Sequence, residues 1–103
     1  MIVAIHQTKE HIILAICDTV IYKKIFTEGK KQLDLASKFY SGTEKTKEEV
    51  KKLLRRAYIV NAVGQESVAL LEEEELITKD NIASIADIPF TQVLLLDEST
   101  IKE

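Results

Sequence analysis

The chain has 103 residues, with 14 Lys/Arg against 17 Asp/Glu for a formal net charge of −3. That length supports one domain with a proper core, residues 1–103, and leaves no room for two. A hydrophobic share of 46% with a single Pro excludes a disordered chain, and a single Cys excludes an intrachain disulfide.

The charge is unevenly spread. Residues 1–60 hold 12 Lys/Arg against 7 Asp/Glu, whereas residues 61–103 hold 2 against 10. Such asymmetry points to a charged partner and says nothing about fold. Nothing basic precedes Met1-Ile2-Val3-Ala4-Ile5, and the apolar runs are too short for a signal core or a bilayer span. The expectation is a soluble cytoplasmic protein without membrane contact.

Residues 1–6 and 11–17 are β-branched apolar runs around Gln7-Thr8-Lys9-Glu10, the pattern of a β-hairpin. Pairing His6 with His11 places Val3, Ile5, Ile12, Leu14 and Ile16 on one bulky face, expected beneath helices. The other face carries Ile2, Ala4, Ile13, Ala15 and Cys17, small enough for light cover or for close approach of another backbone. Short strands at Ile21–Phe26 and Gln32–Ala36 bracket the turn Glu28-Gly29-Lys30-Lys31.

Thr46-Lys47-Glu48-Glu49 is a capping box, and Val50, Leu53, Leu54, Ala57 and Tyr58 follow as an amphipathic stripe. Asn61 is expected to end that helix and cap a second one running to Glu75 or Leu76, with Val68 and Leu71 buried. Thr78-Lys79-Asp80-Asn81 is a turn. Ile82–Ile85 and Thr91–Leu96 form a second hairpin around Asp87-Ile88-Pro89. Strands and helices are segregated along the chain, which predicts an α+β fold: a two-layer sandwich, mainly antiparallel sheet with two helices on one face.

With these elements in place, several segments are familiar. Cys17-Asp18, Phe39-Tyr40-Ser41-Gly42, Asn61-Ala62-Val63-Gly64-Gln65-Glu66 with Val68, and Pro89 before Gln92-Val93 together resemble a small archaeal family, domain of unknown function 424. The resemblance spans nearly the whole chain. It implies an archaeal source, a compact two-layer α/β domain and no established activity. The chain departs from the family pattern at Tyr22, where a Gly is usual, and at Phe90, where a His is usual. No mechanism is therefore built on that His.

Lys47, Lys51 and Arg55 share one helix face, with Lys52 and Arg56 beside them. Like charges at this spacing cost a helix about 0.2–0.5 kcal/mol per pair, which a polyanion would offset through counterion release. A solvated face compensated by Glu44 and Glu48 is the plainer explanation. Glu72-Glu73-Glu74-Glu75 oppose the helix dipole and serve solubility or complementarity with a basic surface. Asn61, Gly64 and Gln65 at a helix N-terminus form either a ligand turn, receiving phosphate or carboxylate, or a point of close helix packing. Cys17 reads as a small buried residue, because neither His6 nor His11 can reach it on the hairpin, and Asp18 as a turn former at the strand end.

The two histidines lack a third ligand for zinc, so no metal is expected. Phosphate-loop, dinucleotide, thiol-redox, serine-hydrolase and zincin motifs are all missing, and no cofactor is expected. The leading expectation is a non-catalytic module that associates with RNA or a translation-related ribonucleoprotein through Lys47, Lys51, Lys52, Arg55 and Arg56. The alternative is a protein-interaction module or homodimer, built on the apolar run Val93-Leu94-Leu95-Leu96 and the small-residue sheet face. A third is an enzyme using Cys17, Asp18 or the Asn61–Glu66 turn.

Overall fold

The computed structural model describes residues 1–95. Among them the chain forms eight strands, β1 (Ile2–Gln7), β2 (Ile12–Cys17), β3 (Ile25–Glu28), β4 (Lys31–Asp34), β5 (Thr43–Glu44), β6 (Ile59–Val63), β7 (Ala83–Ile85) and β8 (Ile88–Leu94). Two α-helices, α1 (Lys47–Leu54) and α2 (Gln65–Glu73), complete the regular structure with three short 3-10 turns. The main sheet has the order β5-β1-β2-β6-β8-β7, and β3-β4 is a separate ribbon. Only β2 and β6 are parallel; their connection contains α1. The fold is thus α+β, with a mainly antiparallel sheet and two helices packed against it.

The first hairpin forms with a register two residues away from the expected one. Gln7 pairs with Ile12 and His6 with Ile13. The turn is closed by Thr8, whose amide and hydroxyl donate to the His11 carbonyl while the His11 amide donates back to Thr8 Oγ1. Side chains alternate with period two, so a two-residue slip leaves every residue on its expected face. Val3, Leu14 and Ile16 accordingly join Val60 and Ala62 beneath Val50 and Leu54 of α1 and Val68 and Leu71 of α2. Each fully buried aliphatic side chain contributes about 1.5–3 kcal/mol.

The N-terminus of α1 is the expected capping box. Thr46 Oγ1 accepts from the Glu49 amide at 3.2 Å, and Glu49 Oε1 accepts from the Thr46 amide at 2.9 Å. The helix ends at Leu54, earlier than its apolar stripe predicts, although Ala57 is still fully buried.

The largest correction concerns Asn61. It does not end one helix and cap the next but lies in the middle of β6, paired with Ala15 on one side and Gln92 on the other. The run Ile59-Val60-Asn61-Ala62-Val63 is drawn out of helix because it completes the sheet between β2 and β8, and tertiary context of this kind overrides helical periodicity. The last hairpin turns at Ala86-Asp87, both in left-handed backbone (φ 51° and 64°), while Pro89 stands within β8. Paired left-handed residues match the twist of a two-residue hairpin.

Cross-strand pairing sorts the face opposite the helices into rows. Ile2, Cys17, Val63 and Phe90 form one, sealed by Leu33, Leu35 and Phe26 of the β3-β4 segment. Ala4, Ala15, Asn61 and Gln92 form the next. Its two alanines are buried, in the region where the Lys38–Tyr40 turn lies against β1 and β2. Here the small residues are approached by another backbone. The third row, His6, Ile13, Ile59 and Leu94, is covered among the described residues only at His6, by Phe39, and leaves Leu94 60% exposed.

Candidate nucleic-acid interface

The five basic residues divide into two groups. Lys47 Nζ lies 2.9 Å from Glu73 Oε1, and Lys51 Nζ lies 3.8 Å from Glu74 and 4.0 Å from Glu48. Hydrogen bonding to Glu73 pushes the Lys47 pKa up, which fits a charge already engaged. The acidic end of α2 thus neutralises the first half of the α1 ridge. Lys52, Arg55 and Arg56 are exposed and make no ion pair among the described residues. Arg55 is the C-cap of α1 and Arg56 lies beyond it, so the cationic group sits at the helix end and not along its length. A basic side chain there also complements the helix dipole.

The fold brings rings to this end that the linear sequence does not group. Tyr58 follows Arg55 and Arg56 closely, its amide donating to the Ile12 carbonyl, and its ring stacks on His11 with centroids 3.8 Å apart. The pair is cross-strand, joining the start of β2 to the approach of β6, and only the parallel β2-β6 pairing could have revealed it. His6 does not face His11; it stacks on Phe39 at 4.9 Å, and Phe39 O lies 2.8 Å from its Nε2. Among the described residues no three His, Cys or carboxylate groups cluster at metal-binding distance.

The turn expected to hold Asn61, Gly64 and Gln65 holds only the last two. Gly64 caps α2 with φ 106° and ψ 159°, a conformation open essentially to glycine alone, and Gln65 begins the helix exposed. The anion at this N-terminus is supplied from within. Asp18, 6% exposed, accepts from the Glu66 amide at 3.0 Å and from the Ser67 amide and hydroxyl at 2.8 Å each. A Cβ on Gly64 would overlap that carboxylate.

Asp18 is therefore more than a turn former: it crosses from the end of β2 to cap α2. Its role was hidden because the partners lie 48 and 49 positions away. A cleft of ≈ 250 Å³ opens beside it, walled by Val20, Ile21, Ile88 and Pro89 and rimmed by Gln65 and Glu66. Apolar walls with carboxylates at the rim do not suit a phosphate.

Cys17 is fully buried, and its thiol is pushed up to about 11, first by burial and then by the neighbouring Asp18 charge. It is not poised as a nucleophile. Of the apolar run near the end of the described chain, Val93 and Leu95 pack toward the helices and Leu94 faces the opposite side. Leu96 lies outside the described residues. No helix among them is long and apolar enough to cross a membrane.

This arrangement defines a small α+β chain whose class is set by fold rather than by reaction chemistry. The family model described as "Protein of unknown function (DUF424)" matches residues 6–96, and the chain belongs to that archaeal family. No curated protein matches it significantly. It is similar to the crystal structure of an uncharacterized conserved protein from Methanopyrus kandleri, with a TM-score of 0.77 at 20% identity over 94% of this chain and 92% of that one. At that identity the likeness establishes the fold.

Proposed function

We propose that the protein is a non-catalytic cytoplasmic module that binds RNA, free or within a ribonucleoprotein, through Lys52, Arg55 and Arg56. The observation that carries this reading is three exposed cations, without an ion pair among the described residues, standing directly before the stacked Tyr58–His11 pair. Backbone phosphates take the cations without regard to sequence, and a π-face beside them suits nucleic acid better than an acidic protein surface. Lys47 and Lys51 drop out of the interface because α2 already holds them.

A filter-binding titration against mixed tRNA and rRNA across a salt series tests it. Three phosphate contacts on a single strand give a log–log salt slope of about −2. Absence of binding at low salt, or binding indifferent to Arg55→Glu/Arg56→Glu, refutes the reading. A second reading, self-association, is favoured by one observation, the 60% exposure of Leu94 among the described residues. Light scattering separates the two: a salt-insensitive dimer supports the second and a monomer refutes it.

A further inference from the structure

We infer that the part of this sheet face left open among the described residues, Asn61 and Gln92 with the neighbouring Ile13-Ile59-Leu94 row, receives the unpaired bases of a single-stranded RNA. The inference rests on the phosphate-binding reading above and names the form of nucleic acid that reading would take.

The first reason is Asn61. Asparagine is depleted in strands, yet this one stands in a strand flanked on both sides, facing away from the helices. Its amide makes no side-chain hydrogen bond among the described residues, and neither does that of its pair partner Gln92. Two adjacent free amides offer donors and acceptors of both kinds, which is what the edges of unpaired bases require. A local rule broken without internal compensation marks a functional position.

The second reason is the surroundings of that pair. Ile13, Ile59 and Leu94 make an apolar row beside it, and stacked rings border the row at His6–Phe39 and at His11–Tyr58. Exposed lysines lie next to both borders, Lys38 beside Phe39 and Lys9, with Glu10 after it, in the β1-β2 turn, while Arg55 and Arg56 stand at the end of α1 shortly before Tyr58. The acidic run of α2 belongs to the opposite, helical layer, where Glu73 and Glu74 meet α1.

Cationic borders around an apolar, ring-edged floor match the phosphates and bases of an extended strand. A duplex can offer the same cations its phosphates, but its base faces are stacked inside and its edges are paired, so the floor and the two amides would gain nothing from it. A second copy of the chain would bring its own cations against these.

The test is fluorescence anisotropy at low salt with a short mixed-sequence single-stranded RNA and with the blunt duplex of the same sequence. The single strand is expected to bind at least about tenfold more tightly, the return from stacking one or two bases. Asn61→Val, which restores a strand-forming residue, and Leu94→Glu, at an exposed position, are each expected to lower single-strand affinity toward the duplex value. Circular dichroism melts confirm that both variants fold. Equal affinity for the two RNAs, with both lost in Arg55→Glu/Arg56→Glu, overturns the single-strand inference and leaves the phosphate reading standing. No binding of either RNA overturns both. A concentration-dependent dimer abolished by Leu94→Glu shows that another copy covers the face, and overturns the inference as well.

Discussion

Removing the Asp18 carboxylate should uncover a coupling that depends on Gly64. In Asp18→Ala three hydrogen bonds lose their acceptor, two of them from Ser67, which is fully buried. Charge-assisted bonds are worth about 1.5–3 kcal/mol each and buried unsatisfied donors cost about 1–3, but water from the adjacent cleft can reach part of the site. A net loss of about 3 kcal/mol follows, somewhat above an ordinary N-cap deletion. Gly64→Ala suffers twice. Its backbone conformation costs a non-glycine residue about 1–3 kcal/mol, and its new methyl expels the carboxylate, for a total of about 5 kcal/mol.

In the double variant there is no carboxylate to expel, and only the backbone strain is added to the lost cap. The pair should therefore cost about 2–3 kcal/mol less than the sum of the singles. Urea unfolding followed by circular dichroism measures all four corners of the cycle. Asp18→Asn, which keeps one acceptor oxygen, provides a milder arm at about 1–2 kcal/mol in case a single variant unfolds outright. Additivity of the two singles within about 0.5 kcal/mol would refute the argument that Gly64 is glycine to admit Asp18.

Other consequences are open to simpler measurements. Lys52→Gln and Arg55→Gln should each flatten the salt dependence of RNA binding by about 0.7 in log–log slope, whereas Lys47→Gln and Lys51→Gln should leave it unchanged; equal effects at all four would show that the α2 glutamates do not mask the ridge. Gly42→Ala should abolish folding or destabilise the protein severely, because a Cβ there overlaps the Val3 carbonyl, and backbone cannot step aside; a melting temperature near that of the parent would contradict the packing. Cys17, fully buried and with its thiol pushed up to about 11, should alkylate at pH 8 at least about 100-fold more slowly in the native protein than in denaturant. Hydrogen bonding from the Thr46 amide holds the Glu49 pKa below the usual carboxylate range. Its stabilising contribution is present above that range and is lost as pH falls through the lower folded value, so Glu49→Gln should flatten the acid limb of the stability profile.

The elements carried by local chemistry were legible in the sequence. Thr46 and Glu49 announce α1, and the alternation in residues 2–17 places each side chain on its proper face even though the expected register was two residues off. What stayed hidden depends on partners far along the chain. Nothing between Tyr58 and Glu66 says that Ile59–Val63 will be held between β2 and β8, so a run following a helix read as the start of another. For the same reason the sequence alone groups Asn61 with Gly64 and Gln65, although it pairs with Ala15 and Gln92 from within the sheet. The Asp18 cap and the His11–Tyr58 stack are likewise created by the β2-β6 pairing.

The charge split illustrates how far composition can carry a functional argument. The excess of cations before residue 60 and of carboxylates after it is partly consumed inside the molecule, where Glu73 and Glu74 of α2 meet Lys47 and Lys51 of α1. Exposed pairs of this kind contribute little to stability. Their consequence is spatial: they offset charge over the first half of α1, so that at this helix Lys52, Arg55 and Arg56 are the cations without an ion pair among the described residues. On the proposed reading, a polyanion meets α1 where those residues lie. The same internal pairing that weakens the case for a long basic ridge thus narrows the proposed contact to the end of α1, beside the stacked His11 and Tyr58.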